Sequence, residues 1–456
     1  MEQDLVLFDN SIGVAIVIQN NSLSVVIIGG GAAGMSAAIA ARRAAERASV
    51  NCSITLLERN ARPGTKISIS GGGKCNVTHQ GTPAEMLEHG FLRMNERRFL
   101  RNALYGFSST DLLELLHSRG VETEVRPDGK VFPLSGDASS VAMAFEELLK
   151  ELSVKIISSC RVRSVESKAG MFLITSTAEP LTADVVILAT GGVSYSKTGT
   201  TGDGLIIARR MGHSIKEPSA ALAPILTLKA PPASLSGISL RSAALVASAG
   251  GKTVERRGDL LFTHRGFSGP AALSLSRDIA ELCRESGSAS LFADLFPEHT
   301  PSELDQLLLQ HARRHGAQMV RKFLQICPIA PLKKGFSEAP HGTIPTALVP
   351  FIIRHALLEI DITWSALQKE QRHSLLTVLK RFPLGTVRKV PLDQGEVSAG
   401  GVDLGEVNPK TMESRITPNL FISGELLDYA GEIGGYNLQA AVSSGWTAGT
   451  SALKKY

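Results

Sequence analysis

The chain has 456 residues, 43% hydrophobic and 20% charged, with a formal net charge of +5, a composition that excludes disorder and allows two or three domains with a sizeable core. Its five cysteines, at positions 52, 75, 160, 283 and 327, are odd in number and form no C-x-x-C pair, which argues against a disulfide framework or a metal site and for a reducing, cytoplasmic compartment. No apolar run reaches the roughly 18 residues that span a bilayer, so a soluble protein without membrane contact is expected.

Residues 5–18 are apolar in patches but lack a preceding basic segment and a small-residue cleavage site, so a signal peptide is not expected. An extra hairpin around residues 10–13 and an extension from an upstream start codon both fit. The stretch 24–34, SVVIIGGGAAG, carries more information. Four β-branched residues, 25–28, predict a buried parallel strand, and Gly29, Gly31 and Gly34 follow with the spacing G-x-G-x-x-G. The first glycine permits a tight turn, the second lets a pyrophosphate approach the backbone, and the third lets helix and strand pack closely. Ala32 and Ala33 open an Ala-rich helix over 32–48, whose amino terminus favours an anion. A second strand over 53–57 ends in Glu58, placed where the dinucleotide fold sets a carboxylate on an adenosine ribose.

Residues 61–78, ARPGTKISISGGGKCNVT, contain a Pro-Gly turn and a loop of three glycines between two lysines, suited to passing over a phosphate or a flat ring. Helical periodicity runs from 95 to 116 with a break near Gly106. A hairpin is predicted around the turn at 127–129, a helix over 138–151, then strands near 154–157, 162–165 and 172–176, the last two forming a meander. The strand 184–188 runs into Ala189-Thr190-Gly191-Gly192. From 195 to about 391 no strand–helix alternation of the nucleotide-binding kind is found. Short strands are predicted up to 288, with LLFTHRGFSGPAAL at 260–273, where His264 and Arg265 beside a glycine turn could reach a ligand carbonyl or phosphate. Residues 301–381 show helical spacing. Between 301 and 390 there are 13 Lys plus Arg against 6 Asp plus Glu, so this part carries +7 while the whole chain carries +5. Its densest cluster is Arg313, Arg314, Arg321, Lys322, Lys333 and Lys334, a footprint for a polyanion or a solvated helix face. The chain returns through VSAGGV at 397–402 and TMES at 411–414. A last strand over 420–423 leads into Gly424-Glu425, and GGYNLQ at 434–439 opens an Ala-rich helix.

Taken together, GGGAAG, ARPGTKISISGGGKCNVT, GKVFPLS, VSAGGV, TMES, SGELLD and GGYNLQ resemble the bacterial BaiN/YhiN-like family of FAD-dependent oxidoreductases. The resemblance implies an α/β fold: an FAD-binding Rossmann-like domain of the two-dinucleotide-binding type, residues 1–194 and 391–456, interrupted by a β-rich substrate domain at 195–300 and a helical subdomain at 301–390. It implies non-covalent FAD, with Lys66, Ser70, Gly71, Gly72, Cys75 and Asn76 of the second glycine loop brought towards it. Thr190, Gly191 and Gly192 would pass the cofactor, and Glu425 after Gly424 would hold the ribityl chain. Gly435, Tyr436, Asn437 and Leu438 would start a helix aimed at the pyrimidine end of the flavin. The implied reaction is reduction of an electron-poor C=C bond conjugated to a carbonyl, in an enone-like small molecule or in a uracil ring of ribosomal RNA. A donor such as Arg265 or His264 would stabilise the developing enolate, Tyr195 and Tyr436 are alternative proton donors, and NAD(P)H is a candidate external reductant. A flavin-binding redox sensor without turnover is the third reading.

Overall fold

The computed structural model describes residues 5–9, 14–18, 22–327 and 344–456, the first two segments by their backbone alone. The chain forms two compact units, Met1–Pro218 with Val397–Tyr456, and Ser219–Glu396. At the amino terminus Leu5–Asp9 and Val14–Ile18 pair antiparallel, Leu5 opposite Ile18 and Asp9 opposite Val14, so a hairpin is present; the turn predicted at residues 10–13 lies outside the described residues.

The first unit is built on a five-stranded parallel sheet in the order Leu420–Ile422, Val185–Leu188, Leu23–Ile28, Cys52–Leu57, Lys155–Ile157. Val185–Leu188 and the Val25–Ile28 part of the central strand are unbroken, buried apolar runs because both faces are covered. The meander Val162–Lys168, Met171–Ser176, Leu181–Ala183 contributes Phe172 and Ile174 to the same core. Helices Ala32–Ala48 and Tyr436–Ala452 lie against one another at backbone distance. A Cβ added to Gly445 would stand 2.1 Å from the Ala33 carbonyl oxygen, and one on Gly449 2.0 Å from that of Ala37. Two glycines four residues apart share one helix face, so their spacing makes a groove into which the first helix fits. Ser36 donates across the same interface to the Val442 carbonyl at 2.7 Å.

In the second unit Ile225–Thr227, Gly266–Ser268, Lys252–Thr263, Ser239–Ala249, Ser290–Asp294 and Phe382–Lys389 close a barrel in that order. Three features depart from the sequence expectation. The strands Ser239–Ala249 and Lys252–Thr263 are long, not short, joined by a turn at two left-handed glycines, Gly250 and Gly251. Helix Pro270–Ser286 was not expected; its Ala271, Leu275, Ile279 and Leu282 pack into the barrel core at helical spacing. The helices Pro301–Arg314, Val320–Ile326, Val349–His355 and Lys369–Lys380 share that core through Leu304, Phe323, Ile352 and Leu375, while a strand from the range expected to be helical, Phe382–Lys389, closes the barrel. The units also divide at Pro218 and Glu396, not at 194 and 391, since Leu205, Ile207 and Ala208 of helix Asp203–Arg210 belong to the first core.

The helix–helix contact yields a direct test. Gly449→Val forces the two helices apart and should destabilise the protein by about 1–3 kcal/mol or more, read as a lower urea midpoint; an unchanged midpoint would refute the contact.

Candidate functional site

The strand Leu23–Ile28 hands over to the first helix through a turn in which each glycine does something different. Gly29 holds φ 108°, and a Cβ there would lie 2.4 Å from the Ala189 carbonyl oxygen. At Gly34 a Cβ would overlap the Gly29 carbonyl oxygen at 1.8 Å. Gly31 differs: its φ of −78° suits any residue, and a Cβ there meets no atom within 4 Å. Two glycines are required by packing, whereas the third leaves an open approach to backbone. That approach leads to the start of the first helix, where no side chain caps the N–H groups and no acidic residue occupies the first turn. Uncapped N–H groups beside an open face fit the pyrophosphate of a dinucleotide.

Glu58, at the end of the neighbouring strand, is buried. Its carboxylate accepts the Gly30 N–H at 2.6 Å and the Asn60 N–H at 2.7 Å. Burial raises its proton affinity and these backbone donors oppose the rise. Gly30 is a position that motif reading passes over: a Cβ there would meet Glu58 Oε2 at 2.8 Å and Pro63 at 2.9 Å.

The second glycine loop begins as helix Thr65–Gly73 and leaves helical geometry at Ser70, turning left-handed at Gly71 and Gly72. The Gly64 N–H donates to the Gly30 carbonyl at 2.8 Å, which ties this segment to the first glycine turn. Ser70 donates to the Ile67 carbonyl at 2.7 Å, and a Cβ on Gly72 would meet nothing within 4 Å. Cys75 is wholly buried and its thiol is pushed up to about 11 by desolvation, so it is no thiolate at neutral pH. The Asn76 amide, oriented with its nitrogen towards the Thr78 and Val131 carbonyls at 3.0 and 3.2 Å, accepts the Gly435 N–H at 3.0 Å.

Lys66 and Glu425 are brought together. The Lys66 ammonium donates to Glu425 Oε2 at 2.6 Å and to Ser194 Oγ at 2.7 Å. Ser398 donates to Glu425 Oε1 from its N–H at 2.8 Å and its hydroxyl at 3.0 Å, and Ser194 adds a longer bond at 3.2 Å. Gly192 has no side chain because a Cβ would stand 2.0 Å from Ser398 Oγ. Ser194 and Ser398 were not singled out by sequence reading; each sits beside a glycine pair in a segment that was. Nearby, Gly191 is left-handed at φ 75°, and Thr190 Oγ1 is buried with no hydrogen-bond partner among the described residues, packed where a Cβ on Gly204 would touch it at 1.8 Å. Gly424 comes within contact of the first helix, a Cβ there meeting that of Ala33 at 2.7 Å.

At the start of the last helix Gly435 is left-handed at φ 87°, Asn437 exchanges hydrogen bonds with Gly431 at 2.7 and 2.9 Å, and Leu438 packs half-buried on the core. The Tyr436 ring is buried, stacked on His79 with centroids 4.9 Å apart. Gly90 and Gly434 make room for it, a Cβ on each coming within 2.3 and 2.8 Å of the ring, and burial pushes its hydroxyl up to about 12. His264 and Arg265 belong to the second unit, exposed in the two-residue turn between Lys252–Thr263 and Gly266–Ser268. Of the basic cluster, Arg313 and Arg314 end helix Pro301–Arg314, Arg321 pairs with Asp361 at 2.9 Å, and Lys333 and Lys334 lie outside the described residues.

Among the described residues no helix is long and apolar enough to cross a membrane, and no cluster of three or more metal-ligating side chains is found. A family model described as "HI0933-like protein Rossmann domain" matches residues 23–451. The chain is 34% identical over 431 residues to a 3-dehydro-bile acid delta(4,6)-reductase of Clostridium scindens, covering 94% of this chain and 98% of that one. It is 29% identical to a ribosomal RNA dihydrouridine synthase of Escherichia coli, covering 92% of this chain and 96% of that one. A ribosomal RNA dihydrouridine synthase of Haemophilus influenzae is 28% identical, with 94% and 98% covered.

The contrast between the glycines is open to experiment. Gly31→Ala should leave folding stability within about 0.5 kcal/mol of wild type, whereas Gly34→Ala should prevent stable folding. Gly31→Asp should fold but lose flavin nucleotide, measured as the ratio of visible to protein absorbance after purification. Full flavin content in Gly31→Asp would refute the assignment.

Proposed function

The chain belongs to the HI0933-like Rossmann family of FAD-dependent oxidoreductases, and from that membership we propose that it reduces a C=C bond conjugated to a carbonyl in an enone-like small molecule. The observation that carries this reading is the similarity, end to end along both chains, to a reductase whose name specifies saturation of such bonds. Bound FAD supplies the hydride-transfer chemistry, and the protein supplies binding, orientation and electrostatics. The open face at Gly31 and the uncapped N–H groups of the first helix receive the pyrophosphate, and Glu58, aimed by its backbone donors, takes the adenosine ribose. Reduction of an enone places negative charge on the carbonyl oxygen, which a cation or a hydrogen-bond donor stabilises. Arg265 and His264, exposed in a tight turn, are available for that task, and Tyr436, whose hydroxyl burial pushes up to about 12, is an alternative proton donor. NAD(P)H is the external reductant in this reading, and the cytoplasm the compartment.

A second reading takes uridine in ribosomal RNA as the substrate, since its ring holds the same conjugated C=C bond. It is favoured by the two relatives named for that reaction and by the net charge of +7 between 301 and 390. Arg313, Arg314, Arg321 and Lys322, with Lys333 and Lys334, would contact phosphates.

Acid release and chromatography of the bound cofactor should give FAD; FMN alone, or no flavin after reconstitution, would overturn the assignment. Anaerobic assays with a dienone steroid and with ribosomal RNA from a deletion strain separate the substrates, the first reading expecting turnover of the dienone. If RNA is the substrate, Arg313→Gln, Arg314→Gln and Lys322→Gln together should lower RNA affinity and flatten its log–log salt slope by about 0.9 per lost contact. Equal slopes for variant and wild type would leave the cluster a solvated face.

A further inference from the structure

Residues 193–203 form a loop whose ends meet. A Cβ on Gly202 would stand 3.0 Å from Val193 Cγ1, and one on Gly191 would lie 3.2 Å from Thr200 Cγ2. Within the loop the Thr200 hydroxyl donates to the Ser194 carbonyl, and the Tyr195 carbonyl accepts both the N–H and the hydroxyl of Thr198 at 2.8 Å. Tyr195 takes φ 50° and ψ 56°, a left-handed conformation that a bulky residue adopts only where its surroundings impose it. Thr198 and Thr200 are buried by this folding, and Tyr195, Ser196 and Lys197 are exposed at the tip. A short segment with its ends in contact and its own side chains turned inward is an Ω-loop.

Its two sides are fastened to different parts of the site. On one side the Ser194 hydroxyl accepts from Lys66 at 2.7 Å and donates to Glu425 at 3.2 Å. On the other, Asn60 Nδ2 donates to the Thr198 carbonyl at 2.9 Å, and a Cβ on Gly199 would lie 2.8 Å from the same nitrogen, so loop backbone rests on the Asn60 amide. Arg59 donates to Thr201 Oγ1 and pairs with Asp203 at 3.4 Å, while Arg161 grips the same carboxylate through two bonds of 2.7 and 2.8 Å. Arg59 and Asn60 directly follow Glu58 in sequence. The loop therefore joins the residues behind the ribose carboxylate to the Lys66–Glu425 pair.

The fastenings differ in kind. Ser194 is fully buried, whereas the Arg59 and Arg161 side chains are 36% and 49% exposed. Salt screens exposed charges and leaves buried hydrogen bonds largely untouched, so the Asp203 side is the one that yields. Arg161 stays where it is when that happens, because its N–H donates to Thr177 Oγ1 and its carbonyl accepts the Thr177 N–H, both at 2.9 Å.

We propose that residues 193–203 are a strap closed over the flavin nucleotide, that Arg59, Arg161 and Asp203 form its clasp, and that opening of the clasp sets the rate at which the flavin leaves. Asp203 and Arg161 act on the flavin through the loop and are positioning residues. The inference rests on the FAD reading above.

The test is the dissociation rate of FAD from the full-length holoenzyme, followed as recovery of flavin fluorescence after dilution at low and high salt. Asp203→Asn and Arg161→Gln should each raise the rate roughly three- to tenfold at low salt. Their double variant should add little to either, and all three should respond to salt less than wild type does. Lys197, in the exposed tip, gives a second readout: FAD should slow tryptic cleavage after Lys197 in the wild type, and Asp203→Asn should hasten it. Rates equal to wild type in both single variants would make the cluster a surface ion pair only and overturn the proposal. Faster release with an undiminished salt response, or tryptic cleavage after Lys197 that FAD does not slow, would overturn it too. Failure of the wild type to bind FAD at all would refute the cofactor reading and the strap with it, an outcome distinct from FAD bound and released at unaltered rates.

Discussion

The first helix is held at several points by direct approach of backbone to backbone. The Gly29 carbonyl lies where a side chain on Gly34 would be, Gly424 touches Ala33, and Gly445 and Gly449 admit the carbonyls of Ala33 and Ala37. A helix gripped this closely has little freedom to shift, because interiors packed at this density do not deform gradually. Its amino terminus is thereby fixed relative to the strand end at Ile28, to Glu58 and to the turn at Gly424. These are the points from which an anionic dinucleotide would be held. The glycines that look like a ligand motif are thus mostly a packing device, and only Gly31, where packing makes no demand, leaves backbone open to a ligand.

Much of the first unit was legible in the sequence because its signals are local. The run of β-branched residues at 25–28 and the helix predicted over 138–151 are set by their own periodicity and caps, and they form as expected. The second unit was read less well. Helix Pro270–Ser286 follows a left-handed Gly269, and its opening Gly-Pro pair has the spelling of a loop, although proline in the first turn of a helix costs nothing. The barrel strands Ser239–Ala249 and Lys252–Thr263 hold small and charged residues that look like interruptions until the pairing across the sheet is known. Closure by Phe382–Lys389 joins segments far apart in the chain, which no local pattern reports.

The site was legible in its residue types and not in its partnerships. Lys66, Glu58 and Glu425 could each be selected from a motif, yet nothing in the spacing says that Lys66 faces Glu425 across 359 positions of sequence. Ser194 and Ser398 are ordinary serines by any composition rule; they become functional candidates only because the fold brings both hydroxyls to one carboxylate. Tyr436 moves the other way. Its place at the head of a helix suggests a reactive phenol, but the glycines around it exist to bury the ring.

Glu58 and Glu425 show why partnership decides function. Both follow a parallel strand and both carry the same charge. Glu58 accepts the Gly30 and Asn60 N–H groups, with the Arg59 amide a further backbone donor, and these fix its direction. Those donors are amides that no substitution except proline removes, so the carboxylate stays aimed when nearby side chains vary. Glu425 is instead aimed by three side chains and one amide drawn from three other segments of the chain, so its direction depends on side chains that a single substitution removes.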